Sequence, residues 1–170
     1  LYKEIVEKVG KDNLIIMGDS AGGGLALGLY EKLAEDNIEL PIKTILISPW
    51  LDVRLENEGI NAIEKNDNIL NKEALKLAGI AYAGEDGINS YLVNPIDGDL
   101  SKLTNIKIFI GTYDILYPDC NLLKERAEKV NGNVEIKEYD KAKHIWLIDN
   151  NSEQEITQKA YNDLIEEIKK

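Results

Sequence analysis

The sequence predicts an α/β fold, a partial sheet of about four parallel strands flanked by helices. Two observations carry that expectation. Short apolar runs of strand length alternate with stretches of helical periodicity, and the first run enters a glycine-rich turn that passes straight into a helix. Such alternation implies a mainly parallel sheet covered on both faces.

Taken in order, Leu1–Val9 has apolar residues at 1, 2, 5, 6 and 9, which is helical spacing, and Gly10 is a natural stop. Leu14–Met17 is the first strand. It leads into Gly18-Asp19-Ser20-Ala21-Gly22-Gly23-Gly24, after which a helix is expected to run to about Glu35. Lys43–Ser48, rich in β-branched residues and stopped by Pro49, is the second strand; Ile106–Gly111 and Val134–Tyr139 are the third and fourth. Residues 51–105 are too many for a plain connection. Within them Asn71 is a good N-cap, with Leu70 and Leu75 placed as a hydrophobic staple, and the helix it opens should end near Gly84. A capping box at Ser152 and Glu155 opens the last helix, whose Ile156, Ala160, Leu164 and Ile168 share one face. No repeat or linker divides the chain, so a single domain is expected over residues 1–170.

A formal charge of −11 repels phosphate backbones, so nucleic acid is not an expected partner. No apolar run approaches the roughly 18 residues of a membrane span. A lone Cys120 makes neither an internal disulfide nor a Cys-based zinc site, and it fits a reducing, cytoplasmic interior. The sequence opens on Leu1 rather than a methionine, from which a preceding segment is expected.

Gly18-x-Ser20-x-Gly22 is the pattern of a nucleophile elbow, a sharp turn between strand and helix. Gly18 and Gly22 are expected to leave room for the strained serine. A helix beginning at Ser20 aims its free N–H groups at any negative charge that develops there, and the Ala21 N–H is the expected oxyanion donor. Phosphate cradling is disfavoured, because no P-loop lysine follows and G-x-G-x-x-G spacing is absent. Gly-Asp-Ser-Ala-Gly differs by one alanine from a motif of chymotrypsin-type proteases, but those place histidine and aspartate before the serine on β-barrels. Here the one histidine, His144, follows the serine, in the loop after the fourth strand. A serine hydroxyl needs such a base to become a useful nucleophile near neutral pH. The matching carboxylate should lie between them at a strand end, where Asp114 fits best. Asp119 and Asp140 are rivals; Asp119 is better placed to cap the following helix, and Asp140 leaves its strand too near the base to face it.

These motifs together resemble the hormone-sensitive-lipase-like branch of the α/β hydrolases, the bacterial acetyl esterase and carboxylesterase group. Gly18-Asp-Ser-Ala-Gly-Gly23 is similar to its nucleophile motif, and Gly111-Thr-Tyr-Asp-Ile-Leu-Tyr-Pro-Asp119 to its acid motif. Ile47-Ser-Pro-Trp-Leu-Asp52 and Asn94-Pro-Ile-Asp-Gly-Asp-Leu100 resemble two further segments, and His144 falls where the family's base falls. The resemblance implies hydrolysis of short-chain esters, small-molecule substrates, by Ser20, His144 and Asp114 with no metal or organic cofactor. It also implies a cap-like insertion at about residues 52–100, in which Leu70, Leu75 and Tyr82 are candidate acyl-pocket residues; ordinary core packing is the alternative for each. A serine peptidase of the prolyl-oligopeptidase type and a non-catalytic α/β-hydrolase binding module are the competing readings. Two features of the family are missing: its first strands, and the His-Gly-Gly-Gly-type loop that supplies further oxyanion donors. The chain is therefore expected to be a C-terminal portion with impaired turnover, since one lost donor costs roughly 10²–10³ in rate. Its first strand should present an open apolar edge, through which it would self-associate as a homo-oligomer.

Overall fold

Parallel ladder hydrogen bonds set the positions of the strand ends from which the site is built. The computed structural model describes residues 1–148 and 154–170, with the side chains of residues 85 and 86 excepted. Four strands, β1 (Ile15–Asp19), β2 (Lys43–Ile47), β3 (Ile106–Gly111) and β4 (Val134–Tyr139), form one sheet in the order β1-β2-β3-β4. All three pairings are parallel, with Asp19 opposite Ile47, Ile47 opposite Phe109, and Gly111 opposite Tyr139. The ladder continues one residue past the ends of β1, β2 and β3. Ser20 N–H donates to Ile47 O (2.9 Å), Ser48 N–H to Phe109 O (2.8 Å) and Thr112 N–H to Tyr139 O (3.0 Å). Three loops thus leave the sheet side by side at its C-terminal edge, where open α/β sheets hold their ligands.

Strand alternation separates two cores. Leu46, Ile108 and Ile110 face α2 (Ala21–Glu35) and α5 (Tyr117–Lys129), meeting Leu27, Tyr30, Cys120 and Leu123. Ile45, Ile47 and Phe109 face the other way, toward Tyr139, Trp146 and Ala160 of α6 (Glu155–Lys169). Each large apolar side chain buried this way contributes about 1.5–3 kcal/mol. β2 is buried along its whole length, as a central parallel strand should be, while β1 has a neighbour on one side only and is half-exposed. The first helix, α1 (Tyr2–Val9), buries no residue and stops at Gly10, whose φ of 78° leaves the helical region.

Residues 51–105 hold two short 3₁₀ turns, Pro95–Asp97 and Leu100–Lys102, and two helices, α3 (Ile60–Ile63) and α4 (Lys72–Gly87). Asn71 caps α4 through its side chain, which accepts from Ala74 N–H. The first helical run ends at Gly84 as expected, with a φ of 67° that costs glycine little, and a further short piece carries α4 on to Gly87. The Ser152 half of the expected capping box lies outside the described residues; α6 begins at Glu155 behind Gln154. No described helix is long and apolar enough to cross a membrane.

Candidate active site

Ser20 occupies the junction of β1 and α2 at φ 51° and ψ −120°, a region that a residue with a side chain rarely adopts. The surrounding backbone over-determines it. Its N–H is held by Ile47 O, and its carbonyl accepts from Trp50 N–H at 2.8 Å. Small neighbours make this turn feasible: a Cβ on Gly18 would collide with the Gly22 carbonyl, and one on Gly24 with the Trp50 carbonyl. Gly22 behaves otherwise than expected. Nothing lies within 4 Å of where its Cβ would be, so the close approach belongs to Gly18, Gly23 and Gly24 instead.

From this turn Ser20 Oγ meets His144 Nε2 at 2.9 Å. On the far side of the ring, His144 Nδ1 lies 3.0 Å from Asp114 Oδ2. A carboxylate only accepts, so Nδ1 carries the proton and Nε2 is left to accept from the serine hydroxyl. Asp114 is fully buried and His144 is 3% exposed. Asp114 Oδ1 is fixed by Leu116 N–H at 2.9 Å. The base loop is held from below by Ser48, a buried residue at the end of β2, whose Oγ accepts from Ile145 N–H at 3.2 Å. The Ala21 N–H opens α2, where the first amides have no intrahelical acceptor.

Asp119 neither caps a helix nor reaches His144. It lies inside the first turn of α5 and accepts from Asn57 Nδ2 at 2.9 Å, and burial pushes its carboxyl up to about 6. The N-cap position belongs to Leu116, because the turn around Asp114 already supplies the helix entry. Asp140 is exposed, 3.5 Å from the Thr112 hydroxyl. Burial also pushes the Cys120 thiol well up, with Asp114 and Asp119 nearby, so it stays protonated in the core.

A cavity of about 330 Å³ opens beside Ser20. Ala21, Gly22, Gly24 and Leu25 of α2 form one wall, Trp50 and Val53 another, and Ala78, Tyr82, Leu92 and Val93 complete it. Of the three candidate pocket residues only Tyr82 is among them. Leu70 and Leu75 instead pack with Leu55, Ile60, Ile115 and Leu116, because the staple turns them away from the cavity and under the loop after Asp114. Trp50, Val53, Leu25 and Ser48 were not singled out in the sequence. Trp50 and Ser48 had a signal, since both border a strand's C-terminal end; Leu25 lies one helical turn after Ala21 on the same face. Asn94, also buried, fixes the pocket wall by accepting from Val53 N–H at 2.8 Å.

Residues 2–148 match a family described as alpha/beta hydrolase fold. An esterase of Acinetobacter venetianus is 34% identical over 137 residues, which cover 79% of this chain and 45% of that protein. An acetyl-hydrolase of Streptomyces hygroscopicus is 28% identical over 131 residues, covering 77% of this chain and 44% of that protein. Among solved structures, a hormone-sensitive lipase from a metagenome library superposes with a TM-score of 0.84 at 27% identity, covering 96% of this chain and 58% of that one. An esterase of the bacterial hormone-sensitive lipase family gives 0.83 at 25% identity, covering 98% and 58%. The chain thus spans less than half the length of the two sequence relatives.

Proposed function

We propose that this chain, which belongs to the α/β-hydrolase fold family and is similar to its hormone-sensitive-lipase-like esterases, is the part of a carboxylic ester hydrolase that carries the nucleophile, base and acid. The observation that carries the reading is the unbroken line from Ser20 Oγ through His144 to Asp114, at 2.9 and 3.0 Å, beside an apolar cavity.

In this mechanism Ser20 Oγ attacks the ester carbonyl carbon as its proton passes to His144 Nε2. The carbonyl oxygen becomes an oxyanion facing the Ala21 N–H and the positive end of α2. Collapse of the intermediate breaks the bond to the alcohol oxygen, which takes the proton from His144. The acyl group remains on Ser20. Water then attacks the acyl carbon with His144 again accepting a proton, and the acid departs with Ser20 restored. Asp114 keeps Nδ1 protonated and stabilises the transient imidazolium. A cavity of about 330 Å³ lined by Trp50, Val53 and Tyr82 suits a short acyl chain. Residues 52–100, which contribute half of that lining, act as the cap-like part of a single domain.

Ala21 is the one oxyanion donor this reading assigns within the chain. Loss of one such donor costs roughly 10²–10³ in rate. Covalent labelling is the sharper test. A fluorophosphonate should modify Ser20, identified by peptide mass spectrometry, and Ser20→Ala should abolish the adduct; a folded wild-type chain that resists labelling overturns the reading.

A further inference from the structure

Asp67 is 7% exposed, and among the described residues its carboxylate is held by backbone amides alone. Oδ1 accepts from Ile69 N–H at 2.8 Å and from Leu70 N–H at 3.1 Å, a local turn that many aspartates make. Oδ2 does something a local turn has no need of: it crosses to the acid loop and accepts from Ile115 N–H at 3.0 Å. Ile115 is the residue after Asp114. The next amide, Leu116 N–H, is bound by Asp114 Oδ1 itself. Two carboxylates therefore grip consecutive amides of one turn, and the free oxygen of Asp114 is the one that meets His144.

The same short segment touches the base loop. Asn68 Oδ1 accepts from Lys143 Nζ at 2.6 Å, and Lys143 immediately precedes His144. It also opens the pocket wall, since Asn71 caps α4, the helix that brings Ala78 and Tyr82 to the cavity. Leu70 and Leu75 pack against Ile115 and Leu116 from the same side.

We infer that Asp67 is a positioning residue: it sets the turn that aims Asp114 at His144 and ties that turn to the start of α4, so that acid and pocket wall hold one register. This rests on the reading of Asp114 as the partner of the base. A charge-assisted amide bond to a buried carboxylate is roughly twice as strong as a neutral one, and Asp67 lends this strength to the Ile115 amide without touching substrate.

The single histidine gives the test a clean readout, because ¹⁵N-histidine labelling yields one imidazole spin system. Asp67→Asn keeps the shape but removes the charge and sets an NH₂ group against one set of amides. The expected result is a folded variant in which the His144 Nδ1–H resonance shifts or broadens and fluorophosphonate labelling of Ser20 slows by about 10- to 100-fold. A folded variant with an unchanged imidazole signal and a wild-type labelling rate overturns the inference. If the wild type itself never labels while the imidazole signal still responds to Asp67→Asn, the nucleophile reading falls and the positioning role stands. Should Asp67→Asn not fold, Asp67→Glu keeps the charge but displaces the carboxylate from the Ile115 amide by one methylene. A folded Glu variant with a perturbed His144 signal and slower labelling then supports the inference, and one with an unperturbed signal and a wild-type rate overturns it.

Discussion

The loops that carry Ser20, Asp114 and His144 and the wall that completes the cavity are built to different standards. The ladders beneath Ser20 and Asp114 run one residue past their strand ends, His144 is tied in through Asp114 and the Ile145–Ser48 bond, and both Asp114 and His144 are buried. The wall is made of residues such as Tyr82, 63% exposed, and Leu25, 61% exposed, and its main helix is broken at Gly84. On the proposed reading the reacting groups are held by strand ends, and the fit to substrate by a segment joined to the sheet at a few points. Substitutions in the two regions should therefore fail in different ways, those in the first losing reaction, those in the second losing selectivity or stability with reaction intact.

The largest effect expected is from Asp114→Asn. The isosteric amide still packs, but it presents an NH₂ toward Nδ1 and favours the wrong tautomer, so labelling of Ser20 should fall by about 10⁴. Equal labelling rates in the variant and the wild type would break the comparison at its stronger end. Gly24→Ala attacks the same region through the backbone. Its Cβ would meet the Trp50 carbonyl, and a loss of about 1–3 kcal/mol in urea unfolding is expected together with slower labelling.

The seam between the regions offers the next test. Glu31 of α2 is 4% exposed, neither carboxylate oxygen has a hydrogen-bond partner among the described residues, and the Gly98 backbone of the 51–105 segment lies against it. Burial, with Asp99 and Asp97 adding to it, pushes its carboxyl up to about 9. The folded chain therefore keeps this proton while the unfolded chain has released it from an ordinary value near 4.5, and stability falls as pH rises between the two. Glu31→Gln should leave stability unchanged at pH 4, raise it by about 1–3 kcal/mol at pH 9 and flatten the profile between. A parallel pH profile in both proteins would show that the seam carries no such proton.

Smallest are the changes that divide the wall from its support. Leu75→Ala should cost about 1–2 kcal/mol with acyl preference unaltered, because Leu75 packs in the cluster beneath Ile115 and Leu116. Tyr82→Ala should change stability by less than about 0.5 kcal/mol, yet shift the relative reactivity of butyryl and octanoyl fluorescent esters by about 2- to 10-fold.

What was legible in the sequence divides along the same line. Strand periodicity placed β3 and β4 to the residue and β1 and β2 within two, because apolar alternation and β-branching act locally. Asn71 was legible as a cap for the same reason: its bond to Ala74 spans three residues. The line from Ser20 to His144 and Asp114 could be anticipated because each residue leaves a strand whose order the topology fixes. The assignments of Leu70, Leu75 and Asp119 went astray where the deciding neighbour lies far along the chain, and the tight contact expected at Gly22 falls on Gly24 for the same reason. Gly24 answers to Trp50, Leu70 to Ile115, and Asp119 to Asn57. Asp67 gave no signal at all, since its local turn looks like any other until Ile115 arrives from the sheet.

Among the described residues β1 is one of the two edge strands of the sheet, and Ser20 is its next residue. Two backbone bonds, to Ile47 and Trp50, restrain the serine from the sheet side. Amide hydrogen exchange should therefore grade across the sheet, fastest in β1 and slowest in β2 and β3. The proton-transfer geometry at Ser20 would then be lost in local openings of one edge, well before the chain unfolds. Heat inactivation of labelling should precede the loss of circular dichroism, and the interval between them measures how much of the nucleophile's lifetime depends on its outermost strand.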